Sequence, residues 1–151
     1  MEAKRVYKGG NVTVTIQESS DHDAVHHWID KEFDKIDSPP AWDTAKITLT
    51  ATRDSILIGG AIGTCVAGVG HLGELMVGEG DRNGGVGAQL LAAFEEWAWR
   101  QGAHLCTLHT DGDRSAARFY VRHGWRVLYT IENHYHHRAT LLMAKELSSP
   151  A

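Results

Sequence analysis

The sequence predicts an α/β (α+β) fold, a mixed seven-stranded sheet with helices packed on it. Three observations carry that reading. Segments that alternate polar and apolar residues with β-branched enrichment recur along the chain. Stretches with apolar residues at helical spacing are interleaved with them. The length, 151 residues with 42% hydrophobic and 23% charged, suits a single domain over residues 1–151 that can bury a genuine core.

Asn11–Ile16 alternates and reads as the first strand. Ser19, Ser20 and Asp21 offer N-caps for a helix over roughly residues 21–37, with Ala24, Trp28, Ile29 and Phe33 at helical spacing and Ser38-Pro39-Pro40 as its stop. Lys46–Thr52 alternates again. Arg53-Asp54-Ser55 turns the chain into a third strand, Ile56–Val66, and Gly68–Gly70 turns it into a fourth, Leu72–Val77. The glycine-rich stretch from Gly78 to Gly87 opens a helix with Val86, Leu90, Phe94, Trp97 and Ala98 on one stripe, ending near Gly102. His104–Thr110 is the fifth strand. Asp113 caps a short helix to about His123, closed by Gly124. Trp125–Ile131 and Ala139–Lys145 are the last two strands, joined by the polar segment 132–138.

Composition narrows the function classes. A formal charge of −4 and a pI near 6.2 do not suit a dedicated nucleic-acid binder. Cys65 and Cys106 stand far apart in apolar surroundings and read as two buried thiols in a reducing compartment. No apolar stretch follows the basic N-terminus, so no signal peptide is expected. The most apolar segment, Ile56–Gly70, is 15 residues long with five glycines, too short and too glycine-rich for a membrane span. The expectation is a soluble cytoplasmic domain.

Two motifs carry chemistry. In the first, the strand ending Leu75-Met76-Val77 leads into Arg82-Asn83-Gly84-Gly85-Val86-Gly87-Ala88 and then an amphipathic helix. Small residues at a helix N-terminus leave successive backbone N–H groups uncovered, and the helix dipole adds to their pull on phosphate oxygens. Gly68-x-Gly70-x-x-Gly73 matches a dinucleotide fingerprint only on paper, because strand-like residues follow it. In the second motif, Asp113-x-x-Ala116-x-x-Phe119-Tyr120-x-x-x-Gly124-Trp125, a small residue at Ala116 leaves room beside the Tyr120 phenol one turn on. A tyrosine at a reacting centre can protonate a leaving thiolate.

Together the motifs resemble the GCN5-related N-acetyltransferase (GNAT) superfamily over roughly residues 56–147. Arg82, Gly85 and Gly87 meet its diphosphate-loop pattern, and Ala116, Phe119, Tyr120 and Gly124 meet its second element. Departures are Asn83 in place of glycine, which tolerates left-handed geometry, Glu79 in place of proline, and Asp113 and Trp125 as substitutions. The resemblance implies a mostly antiparallel sheet splayed between the fourth and fifth strands, with acetyl-CoA in the splay. The pantetheine would meet the backbone of Leu75, Met76 and Val77, the diphosphate would meet residues 82–88, and Asp113, Ala116 and Tyr120 would complete the cofactor site. A primary amine of a small molecule would attack the thioester directly in a ternary complex, with Tyr120 protonating the thiolate.

An aliphatic amine must lose a proton before it attacks. Glu74 is the first choice of base, with His71 and His109 as alternatives. Simple alternation puts His71, Gly73, Leu75 and Val77 on one strand face and Glu74 with Met76 on the other. By resemblance the first helix and the loop before the last strand build the acceptor pocket, bringing Asp21, Asp23, Asp30, Glu32, Asp34, Asp37, Trp28 and Trp42. His22 with His26, and His134, His136 and His137, form clusters without the pattern of a zinc site, so no metal is expected. The alternative to an enzyme is a non-catalytic acyl-CoA-binding module or sensor. A homodimer is compatible with the resemblance, and Trp97 and Trp99 cannot both face the core. The acceptor's identity and the acyl-chain length stay open.

Overall fold

Two tight hairpins set the middle of the molecule. Strand β3 (Thr44–Arg53) turns at Asp54 and Ser55 into β4 (Ile56–Val66), which turns at Ala67 and Gly68 into β5 (Val69–Val77). All four turn residues have positive φ, between 49 and 82°, the geometry whose twist matches that of paired strands. The second turn therefore falls earlier than the expected Gly68–Gly70. Gly70 lies inside β5, because its neighbours leave no room for a side chain: a Cβ there would stand 2.8 Å from Ala98 Cβ and 3.0 Å from Cys106 Sγ.

The computed structural model describes residues 5–9, 12–36, 42–112 and 114–149. It forms two units, Met1–Pro40 and Ala41–Ala151. In the first, β1 (Arg5–Gly9) and β2 (Val12–Ile16) make an antiparallel ribbon, so the expected first strand is present and pairs with a segment whose sequence gave no strand signal. Helix α1 (His22–Ile36) begins where its cap was expected: Ala24 N–H donates to Asp21 Oδ1 at 3.0 Å. Asp37 and the Ser38-Pro39-Pro40 stop lie outside the described residues.

The second unit continues with α2 (Val86–Arg100), β6 (Leu105–Asp111), α3 (Arg114–Arg122), β7 (Arg126–Ile131) and β8 (Thr140–Glu146). Its sheet runs β3-β4-β5-β6-β8-β7, six strands, and only β5 and β6 are parallel. The mixed, mostly antiparallel sheet with flanking helices is as the sequence predicts. Among the described residues no helix is long and apolar enough to cross a membrane.

Helix α2 lies on one face of this sheet. Phe94 packs where Gly63 has no side chain, and Leu90 and Val86 pack over Gly59. Phe94, Leu91, Leu108, Met143 and Cys106 are fully buried, each apolar side chain contributing about 1.5–3 kcal/mol by leaving water. Trp97 joins the core and Trp99 is only half-buried, as their adjacency requires. Cys65 and Cys106 are free and buried. Burial, with smaller effects of Glu95 and Cys65, pushes the Cys106 thiol up to about 12.

Opposite faces of β5 do not follow simple alternation. Ile62 pairs with Glu74 and Gly63 with Leu72, so Gly73 is an extra residue on β5, a β-bulge. Residues opposite each other in an antiparallel pair share a face. Gly59, Ala61, Gly63 and Cys65 of β4 therefore put Val77, Leu75, Leu72 and Gly70 on the α2 face. Thr64 and Ile62 put His71 and Glu74 together on the other. The expectation that His71 shares a face with Leu75 and Val77, apart from Glu74, is thus corrected: the bulge resets the period-2 pattern between them.

Candidate active site

The parallel pair is short. Val69, Gly70 and His71 match Leu105, Cys106 and Thr107, and there the pairing ends. Beyond it β4 holds β5 as far as Val77 and β8 holds β6 as far as Asp111, so each strand is tethered only on its outer side. A bulge bends its strand and increases its twist, and Gly73 sits two residues past the last paired rung. The fork lies between the fourth and fifth expected strands, now β5 and β6.

The fork exposes backbone. Gly78 N–H donates to Ile58 O at 2.8 Å across the β4–β5 ladder, so Gly78 and Met76 direct their main-chain groups at β4. Backbone direction alternates along a strand, which leaves those of Leu75 and Val77 facing the gap. One of these is engaged: Arg82 Nε donates to Val77 O at 3.0 Å, and its Nη2 lies 3.8 Å from Met76 Sδ. Arg82 thereby pins the loop to the strand end.

That loop begins with a 3₁₀ turn, Glu79–Asp81, whose Asp81 carboxylate is paired with Arg53 from the β3–β4 hairpin. Asn83 takes φ of 64°, the left-handed geometry expected of it, and Gly85 caps α2 with φ of 84° and no side-chain bond. The first intrahelical bond runs from Gln89 N–H to Gly85 O at 3.0 Å. The N–H groups of Val86, Gly87 and Ala88 therefore precede any intrahelical acceptor, as at every helix start. Gly87 lies beside both other parts of the site, since a Cβ there would stand 3.5 Å from Phe119 and 3.6 Å from Val77.

Phe119 leads to Tyr120. Its ring lies 5.1 Å from the Tyr120 ring, which lies 5.8 Å from Trp125. Tyr120 is buried, and burial raises its phenol above the ordinary value, so it stays protonated at neutral pH. A polar group of residues that local sequence patterns did not reveal fixes this corner. Glu95 on α2 accepts from Trp125 Nε1 and from Lys145 Nζ, both at 2.8 Å. Lys145 also donates to His123 O at 2.8 Å, and His123 Nδ1 donates to Phe119 O at 2.7 Å. Ala116 is half-buried one turn before Tyr120. Asp113 lies outside the described residues.

The three base candidates share the face away from α2. His71 and His109 rings are 5.5 Å apart, and His71 Nδ1 shares a 3.0 Å hydrogen bond with Thr107 Oγ1, on the last paired rung. Burial, and next the charge of His109, lowers the His71 value. Glu74 and Met76 follow on the same face, exposed. Thr107 belongs to this group although no motif marks it. In the β7–β8 loop, His134 bonds Thr140 Oγ1 at 2.9 Å and His137 bonds Asn133 Oδ1 at 2.8 Å. Among the described residues no three His, Cys, Asp or Glu side chains converge as metal ligands would.

The family profile described as an acetyltransferase (GNAT) domain matches residues 45–127, more than half of the chain. The chain belongs to the GNAT acetyltransferase family. No curated protein sequence matches it. Solved structures share the fold. An acetyltransferase from Bacillus cereus ATCC 14579 superposes with a TM-score of 0.74 at 24% identity, over 86% of this chain and 96% of the other. A candidate acetyltransferase from Agrobacterium tumefaciens gives 0.71 at 20% identity, over 91% and 99%. An aminoglycoside 6'-N-acetyltransferase complexed with coenzyme A gives 0.62 at 18% identity, over 70% and 76%.

GNAT enzymes take their acyl group from acetyl-CoA, and the residues present fit such a donor. The open main chain of Leu75 suits the amides of an extended pantetheine. The N–H groups of residues 86–88 suit a diphosphate, and the absence of a side chain at Gly87 keeps that approach clear.

Proposed function

We propose that this GNAT acetyltransferase transfers an acetyl group from acetyl-CoA to a primary amine of a small molecule, by direct attack in a ternary complex, with the whole chain acting as one catalytic domain. The observation that carries the reading is the convergence of Val77, Gly87 and Phe119 at the mouth of the β5–β6 fork. It gathers strand end, diphosphate loop and tyrosine helix around one gap.

Leu75 and Val77 would align the donor along the fork, residues 82–88 would hold its diphosphate, and Ala116 of α3, together with Asp113, would flank it. Glu74, on the opposite face, takes a proton from the acceptor nitrogen, whose lone pair then attacks the thioester carbonyl carbon. The carbon–sulfur bond breaks, its electron pair goes to sulfur, Tyr120 delivers its hydroxyl proton there, and the second proton shed by the acylated nitrogen restores the phenol. Acid and base thus work from opposite faces through the same gap, and the buried phenol keeps its proton until a thiolate forms.

Thermal unfolding with acetyl-CoA, coenzyme A and NAD tests the reading. A ligand at about 100 times its dissociation constant adds roughly 2.7 kcal/mol, raising the midpoint by about 5–10 °C in a chain of this size. A rise with both coenzyme A forms and none with NAD is expected. No rise with millimolar acetyl-CoA would overturn it.

A further inference from the structure

The loop assigned to the donor's diphosphate is poor in positive charge. Between the end of β5 and the start of α2 it carries Glu79 and Asp81 against Arg82 alone. Arg82 is turned back onto Val77 O, so its guanidinium serves the strand end. A diphosphate approaching this loop meets carboxylates, and like charges brought together cost affinity.

The two carboxylates are not equivalent. Glu79 is exposed, and solvent and salt screen its charge. Asp81 is more sheltered: its side chain is 21% exposed, and a Cβ on Gly78 would stand 3.6 Å from its Oδ2. Gly78 follows Val77, whose Cγ2 lies 3.6 Å from where a Cβ on Gly87 would stand. The Asp81 carboxylate and the N–H groups of residues 86–88 thus flank adjacent residues of one strand end. Their separation is on the order of the Debye length, about 8 Å at physiological salt, and a partly buried charge at that range is weakly screened.

The cation that answers Asp81 comes from a different part of the chain. Arg53 ends β3, opposite Ile56 of β4, and its Nη1 donates to Asp81 Oδ1. Asp54, next in the turn, is exposed like Glu79. The Arg53 side chain is itself 61% exposed, and ion pairs open to water add little to stability. Bracing the fold therefore does not account for the pair. Cancelling a sheltered negative charge beside an anion site does.

We propose that Arg53 sets the affinity for the anionic donor by neutralising Asp81, acting through that carboxylate without touching the phosphates. This rests on the placement of the diphosphate at residues 82–88 and extends it to a residue outside the loop. With Arg53 in place the Asp81 charge is cancelled locally, and the N–H groups at the start of α2 present an undiminished pull. Without it the donor meets an uncompensated carboxylate at the mouth of the fork.

Calorimetric titration of the full chain with coenzyme A tests this. Wild type, Arg53→Gln, Arg53→Lys, Asp81→Asn and the Arg53→Gln/Asp81→Asn double variant are compared, each after its unfolding midpoint without ligand is checked. Arg53→Gln is expected to raise Kd about 10-fold at about 20 mM NaCl and only about 2-fold at about 500 mM, as screening removes the repulsion. Arg53→Lys keeps the charge and should stay within about 3-fold of wild type. Asp81→Asn, whose amide oxygen still accepts from Arg53, should bind at least as tightly as wild type. The double variant should regain the wild-type Kd within about 3-fold. An unchanged Kd for Arg53→Gln, or a loss that salt does not diminish, would overturn the proposal. So would an Asp81→Asn variant as weak as Arg53→Gln, which would make the pair a mechanical brace. A double variant as weak as Arg53→Gln would overturn it too, by putting Arg53 on the phosphates. Failure of wild type to bind coenzyme A would instead overturn the donor placement on which the inference stands.

Discussion

The two faces of the second unit's sheet are made from the same strands and share almost nothing else. Under α2 the strands are notched by Gly59, Gly63 and Gly70, and Phe94, Leu90 and Ala98 press into the notches. The result is a dry core with the buried Tyr120 at its margin. The other face offers Thr64, His71, Glu74, Thr107 and His109, polar and partly open to water. What separates them is a bulge of one residue. Were Gly73 paired like its neighbours, Leu72 and Val77 could not both lie under α2, nor could His71 and Glu74 stand together. Packing and chemistry are thus assigned to opposite sides of one strand by a backbone irregularity.

Inserting an alanine between Glu74 and Leu75 strikes directly at that division. The added residue shifts the alternation beyond it, and a one-residue slip sends side chains to the wrong face, so Leu75 and Val77 would leave the core, at about 1.5–3 kcal/mol each. Urea unfolding should show a loss of about 3–6 kcal/mol, and the midpoint rise with acetyl-CoA should disappear. Stability within about 1 kcal/mol of wild type would mean that the faces are not divided as described.

Truncating one side chain on each face sharpens the contrast. Phe94→Ala removes a fully buried ring and should cost about 3–5 kcal/mol. Met76→Ala, 64% exposed on the other face, should cost under about 0.5 kcal/mol in the same urea experiment.

Tyr120→Phe probes the margin between the faces. Thiol release from acetyl-CoA with 1-butylamine should fall about 100-fold at pH 7, while the unfolding midpoint and its rise with acetyl-CoA stay near wild type. Because burial raises the phenol, the wild-type rate should keep its acid-catalysed step up to pH values above the ordinary tyrosine value of about 10. A phenylalanine variant with full activity would remove Tyr120 from the chemistry.

The smallest effect is a slope. Burial and His109 lower the His71 value, so in acid the unfolded chain binds a proton that folded His71 resists. The unfolded state then holds more protons, and stability falls as pH drops below about 6.5 through the lowered value. Above that range this contribution is flat. His71→Asn should reduce the loss of urea stability between pH 8 and pH 5, and an unchanged slope would show that His71 is not held neutral.

The sequence made most elements legible because their signals are local. Asp21 caps α1 as a side-chain acceptor must, the Ile56–Val66 strand has the expected bounds, and Asn83 and Gly85 take the left-handed geometry that their chemistry permits. The diphosphate loop and Tyr120 were visible as spacing within one helix or one loop. Gly73 was not, since a glycine in a strand does not announce which partner residue it will fail to face. The Arg53–Asp81 pair and the Glu95–Lys145–Trp125 group were equally hidden, because each joins residues 28 to 50 positions apart.

The sequence by itself determined the element types, the mixed sheet, the glycine-rich helix start and the family to which they point, all properties of short stretches whose backbone preferences act over a few residues. Tertiary structure alone decided where β5 parts from β6, which side chains share the face beyond that fork, and how Phe119, Gly87 and Val77 meet. Those outcomes depend on register between strands and on volume between helix and sheet, and neither quantity exists until distant segments pack.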